Sequence, residues 1–142
     1  MRTRIAGAFY AVNSFVSLAL GAIYIFRESF MPYHGEALQL QWAELDPSFQ
    51  VLLLALMDVA GAGWITLGVV ILVLLIGPFR AGERWARYLI PAAILLFYVP
   101  TFLATLSVTQ ATPATAPWYG NAIAIATAVI GFIIDAPWAK RR

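Results

Sequence analysis

The stretch "LLLALMDVAGAGWITLGVVILVLL", from Leu52 to Leu75, decides the fold. It holds one ionisable group, Asp58, and almost nothing else that water would favour. A bilayer core about 30 Å thick requires about 20 apolar residues of a helix that crosses it. This run exceeds that length. It therefore predicts a membrane-spanning helix, and it poses the question of why a carboxylate sits within it.

The rest of the chain follows the same pattern. Of 142 residues, 62% are hydrophobic and 11% charged. A soluble domain carries about a quarter charged residues, so a water-facing surface cannot be built from this composition. Four apolar blocks predict four spans, at about residues 5–26, 49–76, 88–109 and 118–136. Each must be helical to satisfy its own backbone hydrogen bonds in lipid. The expected architecture is all-α and a single domain. Short connections favour an up-down bundle of four transmembrane helices. With no cysteine, disulfides, thiolate metal sites and thiol nucleophiles are excluded.

Basic residues set the expected orientation. Arg2, Arg4, Arg80, Arg84, Arg87, Lys140, Arg141 and Arg142 fall on one side, and Arg27 alone on the other. The positive-inside rule then places both termini in the cytoplasm. Trp42, Trp118 and Tyr119 would mark the outer interface, with Trp85, Tyr88 and Trp138 at the inner one. The expected localisation is the inner membrane of a bacterial cell, multi-pass. The basic balance is explained by topology, so it implies no nucleic-acid partner. A cleaved signal peptide is the rival reading of the first span, but Asn13, Ser14 and Ser17 interrupt the uniform apolar core such a segment carries.

In the first outer loop, Leu38, Trp42 and Leu45 recur at helical spacing among Glu36, Gln39, Gln41 and Glu44. This predicts a short interfacial helix around residues 36–45. Asp46-Pro47 reads as the cap and first residue of the second span.

The spans can also be read as faces. Tyr10, Asn13, Ser14, Ser17, Gly21 and Tyr24 lie on one stripe of the first helix. Ala55, Asp58, Gly61, Ala62, Ile65 and Gly68 share a stripe of the second. Tyr98, Thr101 and Thr105 do so in the third, and Asn121, Ala124, Ala128, Gly131 and Asp135 in the fourth. Membrane helices pack through small residues and turn polar groups inward, so the four stripes are expected to converge. Asp58, about 15 Å into its span, would then face the interior and bond with Asn13, Ser17 or Tyr98. Pro100 would free the Leu96 carbonyl beside them. Asp58, Asn13, Ser17, Tyr98, Thr101 and Trp64 are the candidate ligand-binding or proton-coupling residues. The structural alternative for Asp58 is a neutral acid that holds the bundle in register. A mid-span Trp64 can equally be plain packing.

Other groups carry less. His34 with Glu28 and Glu36 could hold a divalent metal, but such a site needs three or four ligands and the chain has one histidine, so pairing with Glu28 is the simpler expectation. Asp135 is expected to pair with Lys140 or an arginine of "PFRAGERWAR". No Ser-His-Asp set, phosphate loop or two-histidine spacing is present, so the sequence names no catalytic residue, metal site or cofactor.

The run "PFRAGERWARYLIP" after a long span, within a four-span hydropathy profile, resembles small bacterial inner-membrane proteins of the DoxX-like kind. The glycine-containing "LALGAIYIFRES" stands where such proteins carry a lysine after the first span, with Arg27 in its place. The resemblance implies the four-helix membrane fold and supplies no site residue. The functional expectation is a membrane protein that binds a lipophilic small molecule in a polar-lined bundle. Equally open is a subunit docked on a membrane partner or a second copy. The alternative is a small proton- or cation-coupled transporter using Asp58.

Overall fold

The computed structural model describes residues 1–139; the basic residues Lys140, Arg141 and Arg142, and with them the expected Lys140–Asp135 pair, lie outside the described part. Four long helices, α1 (Arg2–Ile25), α3 (Pro47–Leu74), α4 (Arg84–Ala111) and α5 (Trp118–Asp135), make up most of the chain. All four are long and apolar enough to cross a membrane. They mark an integral membrane protein. The described residues are helix, turn and loop, with no strand.

α3 opens as its sequence predicts. Pro47 occupies the first turn, and the Asp46 carboxylate accepts from the Ser48 backbone N–H at 2.8 Å. At its far end the helix widens into a π turn, Leu75–Phe79, that contains Pro78. α4 runs unbroken through both Pro91 and Pro100.

The first loop departs from expectation. Its helix, α2, spans Pro32–Leu38 and stops at Gln39, whose backbone is left-handed at φ 55°. A separate 3-10 turn, Trp42–Glu44, follows, closed by a capping box in which the Glu44 carboxylate accepts from the Gln41 backbone N–H. The periodicity of Leu38, Trp42 and Leu45 thus comes from two short pieces. Pro32 supplies an earlier start than the apolar pattern does, because its fixed φ suits a first helical turn.

Two contacts set the packing of α1 on α3. Gly21 and Gly61 meet backbone to backbone, where a Cβ on Gly21 would stand 2.7 Å from the Gly61 carbonyl oxygen. Farther along, the Ser14 hydroxyl donates to the Gly68 carbonyl at 2.7 Å. The two helices therefore run antiparallel. α4 and α5 also run antiparallel. The Asn121 amide donates to Thr105 Oγ1 at one end, and Arg87 clasps Asp135 at the other. α1 is bonded to α5 through Asn13 and Thr127. α3 and α4 meet more sparingly than the pairs α1–α3 and α4–α5.

The polar stripes of α1 and α5 face inward as expected. Tyr10, Asn13, Ser14, Ser17, Gly21 and Tyr24 are all buried, and so are Asn121, Ala124, Ala128, Gly131 and Asp135. The stripe expected of α3 is rotated. Its buried residues are Met57, Gly61, Trp64, Leu67, Gly68 and Ile71, while Ala55, Asp58 and Ala62 are exposed. The reason is volume. Where α3 faces α4 the contact is made by large side chains, with Trp64 set edge-on to Phe97 at 5.7 Å. The α1 seam takes Gly61 and Gly68.

Candidate functional site

Asp58 is not part of the interior. It lies on the outer surface of α3, and among the described residues it makes no hydrogen bond or ion pair. The glycine contact gives its level. Gly61 is lodged against Gly21, Tyr24 and Ile25, and Asp58 is about 4.5 Å nearer the start of α3. α1 ends at Ile25. Asp58 therefore stands level with the last turn of α1, at the end of the bundle that carries the inter-helix loops. The turns of α3 before it project beyond α1. α3, at 28 residues, is thus longer than the 24-residue α1 it is packed beside.

Ser17 and Tyr98 do come together, without Asp58. The Ser17 hydroxyl donates to the Asn13 carbonyl at 2.8 Å and lies 2.9 Å from the Tyr98 hydroxyl. Ser17 has one hydrogen, so the Tyr98 hydroxyl is the donor in that pair. Asn13 in turn donates to the Phe9 carbonyl and to Thr127 Oγ1, and Thr127 donates to carbonyls of its own helix. The network consumes its own donors. It serves as a specific tie between α1, α4 and α5.

Trp64 and Thr101 lie elsewhere, in the wall of a cavity of about 310 Å³ near the loop end. One side is α3, through Leu53, Leu56, Met57, Ala60 and Trp64. The other is α4, through Thr101, Ala104, Thr105 and Val108. Leu56 and Ala104, on opposite walls, are exposed. The cavity is thus open to the side, between α3 and α4. The threonines turn their hydroxyl hydrogens away, Thr101 to the Phe97 carbonyl at 2.7 Å and Thr105 to that of Thr101 at 3.1 Å. Trp64 contributes its ring face, stacked at a tilt on Tyr24 at 4.8 Å. Its indole N–H lies near the Tyr98 hydroxyl but out of hydrogen-bonding geometry, and stays unpaired.

The roof is polar. The Tyr24 and Tyr33 hydroxyls are 2.9 Å apart, and His34 packs edge-on against the Tyr33 ring at 4.2 Å. His34 Nδ1 is buried without a partner. Burial, with the nearby Arg27 charge second, pushes the His34 pKa below its ordinary 6.5 and keeps the ring neutral. Burial likewise raises the Tyr33 hydroxyl, helped by its bond to Tyr24. The expected His34–Glu28 pair is not formed among the described residues. Glu36 instead accepts from the Thr115 backbone N–H, tying α2 to the last loop. No three His, Asp or Glu side chains among the described residues gather closely enough to hold a metal.

Sequence reasoning placed Trp64 and Thr101 among the site residues but missed Tyr24, Tyr33 and His34 as a unit. A signal for it was present. "MPYHGE" carries a helix-initiating proline at Pro32, and a helix there turns Tyr33 and His34 toward the end of α1.

At the opposite end, Arg87 and Asp135 form a buried ion pair. Arg87 Nε donates to Oδ2 at 2.6 Å, and the second guanidinium nitrogen donates to Oδ1 at 2.8 Å and to the Asp135 backbone carbonyl at 2.9 Å. The arginine comes from the "PFRAGERWAR" run, as expected. With both carboxylate oxygens and the backbone carbonyl engaged, the pair is a clasp between α4 and α5, not a reactive centre.

Comparison with family models, curated proteins and solved structures found no match.

Proposed function

We propose that this chain binds a lipophilic small molecule in the cavity between α3 and α4, reached sideways from the bilayer. In this reading the termini are cytoplasmic, the four helices cross an inner membrane up and down, and the cavity opens toward the outer leaflet. One observation carries it. The cavity is apolar along both helical walls, open at the side between Leu56 and Ala104, and polar only at the roof, where Tyr24, Tyr33 and His34 meet. Ligand sites have this composition: an apolar enclosure with a few polar groups at one place. The volume, about 310 Å³, is at the small end of the range such sites occupy.

The test is retention of a bound molecule. The protein is extracted with its native lipid into nanodiscs and its small-molecule content measured by mass spectrometry. Ala104→Phe, at the exposed lip, fills the opening without touching the bundle core. The parent retains an apolar compound in stoichiometric amount and the variant does not. Equal contents in the two would overturn the reading.

A further inference from the structure

The distribution of polar atoms in this cavity says more about its occupant than its shape does. Two hydroxyls, those of Tyr24 and Tyr33, share one hydrogen bond. One hydroxyl hydrogen is therefore left over, whichever tyrosine donates. Beside it His34 Nδ1 is buried and unpaired. The threonine hydroxyls lower in the wall spend their hydrogens on their own helix. No carboxylate, lysine or arginine lines the cavity, and its one histidine is His34 at the roof. An unpaired buried hydrogen-bonding group is costly. The surplus donor therefore selects an acceptor, and the wall leaves a charged head of either sign without a counterion, so a fatty acid would enter in its neutral, protonated form.

Resting on the reading of the cavity as a ligand site, we infer that the occupant is a single-chain amphiphile with an acyl carbonyl at its head. The carbonyl oxygen accepts the spare hydrogen of the Tyr24–Tyr33 pair beneath α2. The chain lies against Met57, Ala60 and the Trp64 ring, and the opening between Leu56 and Ala104 is its route to the bilayer. This sets the molecule head outward and tail inward, as the surrounding lipid lies. An acyl ester and a free fatty acid share this chemistry.

His34 is the only histidine in the chain, so isotope-labelled histidine gives a single imidazole signal at the roof. The full-length protein in nanodiscs is titrated with methyl palmitate, palmitate, hexadecane and hexadecylamine. Native mass spectrometry counts bound molecules, and the His34 signal reports the site. One gained hydrogen bond corresponds to about threefold to tenfold in affinity. Methyl palmitate or palmitate is expected to bind by that factor more tightly than hexadecane, and to shift the His34 signal. Hexadecylamine is expected to bind no better than hexadecane. Tyr24→Phe together with Tyr33→Phe removes both hydroxyls, and with them the spare hydrogen, and should bring the acyl compounds down to the level of hexadecane. A preference for palmitate identifies the free acid as the source, and a preference for methyl palmitate an ester lipid. If all four bind alike, the acyl inference fails and the cavity reading survives. If none binds, both fail.

Discussion

Gly21 and Gly61 pack so closely that a Cβ on either would fall within 3.0 Å of the other's backbone oxygen. This contact fixes the register of α1 on α3 and, through it, the level of every residue on α3. Helices in lipid gain little by hiding apolar surface from a solvent that is itself apolar, so close backbone approach carries much of their association. Gly21→Ala is expected to force the helices apart and destabilise the protein by about 1–3 kcal/mol, the usual cost of overpacking. A Cβ added to Gly120 would meet nothing within 4 Å, and Gly120→Ala should be neutral or stabilise by up to about 1 kcal/mol. Unfolding in mild detergent by denaturant titration checks both. A Gly21→Ala protein as stable as the parent would show that the seam has slack.

The buried Arg87–Asp135 clasp makes a prediction of the opposite kind. Removing one partner leaves a charge in an apolar surround, at a cost of about 3–5 kcal/mol. Asp135→Ala and Arg87→Met are each expected to fall in that range. The double variant Arg87→Met with Asp135→Leu should recover most of the loss, because paired burial of charge contributes little net stability over apolar packing. Additive losses in the double variant would contradict this and assign the clasp a value beyond charge compensation.

How much of this was legible in the sequence depends on the helix. In α1 the polar residues Asn13, Ser14 and Ser17 stand out against an apolar background, so their spacing alone identifies the buried face. Asn121 and Asp135 do the same for α5. α3 gives no such contrast. Its small stripe through Ala55 and Ala62 and its bulky stripe through Met57, Trp64 and Leu67 are equally apolar, and which one is buried depends on the volume the neighbours leave. The level of Asp58 was hidden for a related reason. An apolar run longer than the span offers several registers, and only the partner helix selects one. The roof of the cavity escaped because Tyr24 and Tyr33 belong to different elements, and no periodicity links them.

His34 gives the structure a dependence on pH. Its folded pKa lies below the ordinary 6.5, through burial first and the Arg27 charge second. The folded state therefore binds fewer protons than the unfolded state between those two values. The stability His34 contributes is complete above pH 6.5 and declines as the pH falls toward the folded pKa. Asp46, lowered by its bonds to Ser48, acts in the same sense but only from about its ordinary 3.8 downward, so the two are separable. Unfolding measured between about pH 7.5 and 5, a window that brackets the ordinary histidine pKa, should show a loss that His34→Phe abolishes. An unchanged profile in that variant would mean that the ring is not held neutral.

Asp58 returns the question that the long apolar run posed. A carboxylate at the centre of a span costs about 2.5–3.5 kcal/mol and demands a partner. Here it stands exposed on α3, level with the last turn of α1, and it makes no bond within the described residues. Its substitution should therefore be nearly free. Asp58→Leu is expected to change stability by no more than about 0.5 kcal/mol, as for surface positions without partners. Level can be measured directly, because the chain has no cysteine. Asp58→Cys should react readily with a water-soluble, membrane-impermeant maleimide added to the loop side. Thr66→Cys, exposed on the same helix but about 12 Å deeper, should be refractory. Equal resistance at both positions would place Asp58 in hydrocarbon. A large loss of stability in Asp58→Leu would then mean that another chain covers this face of α3 and pairs with the acid.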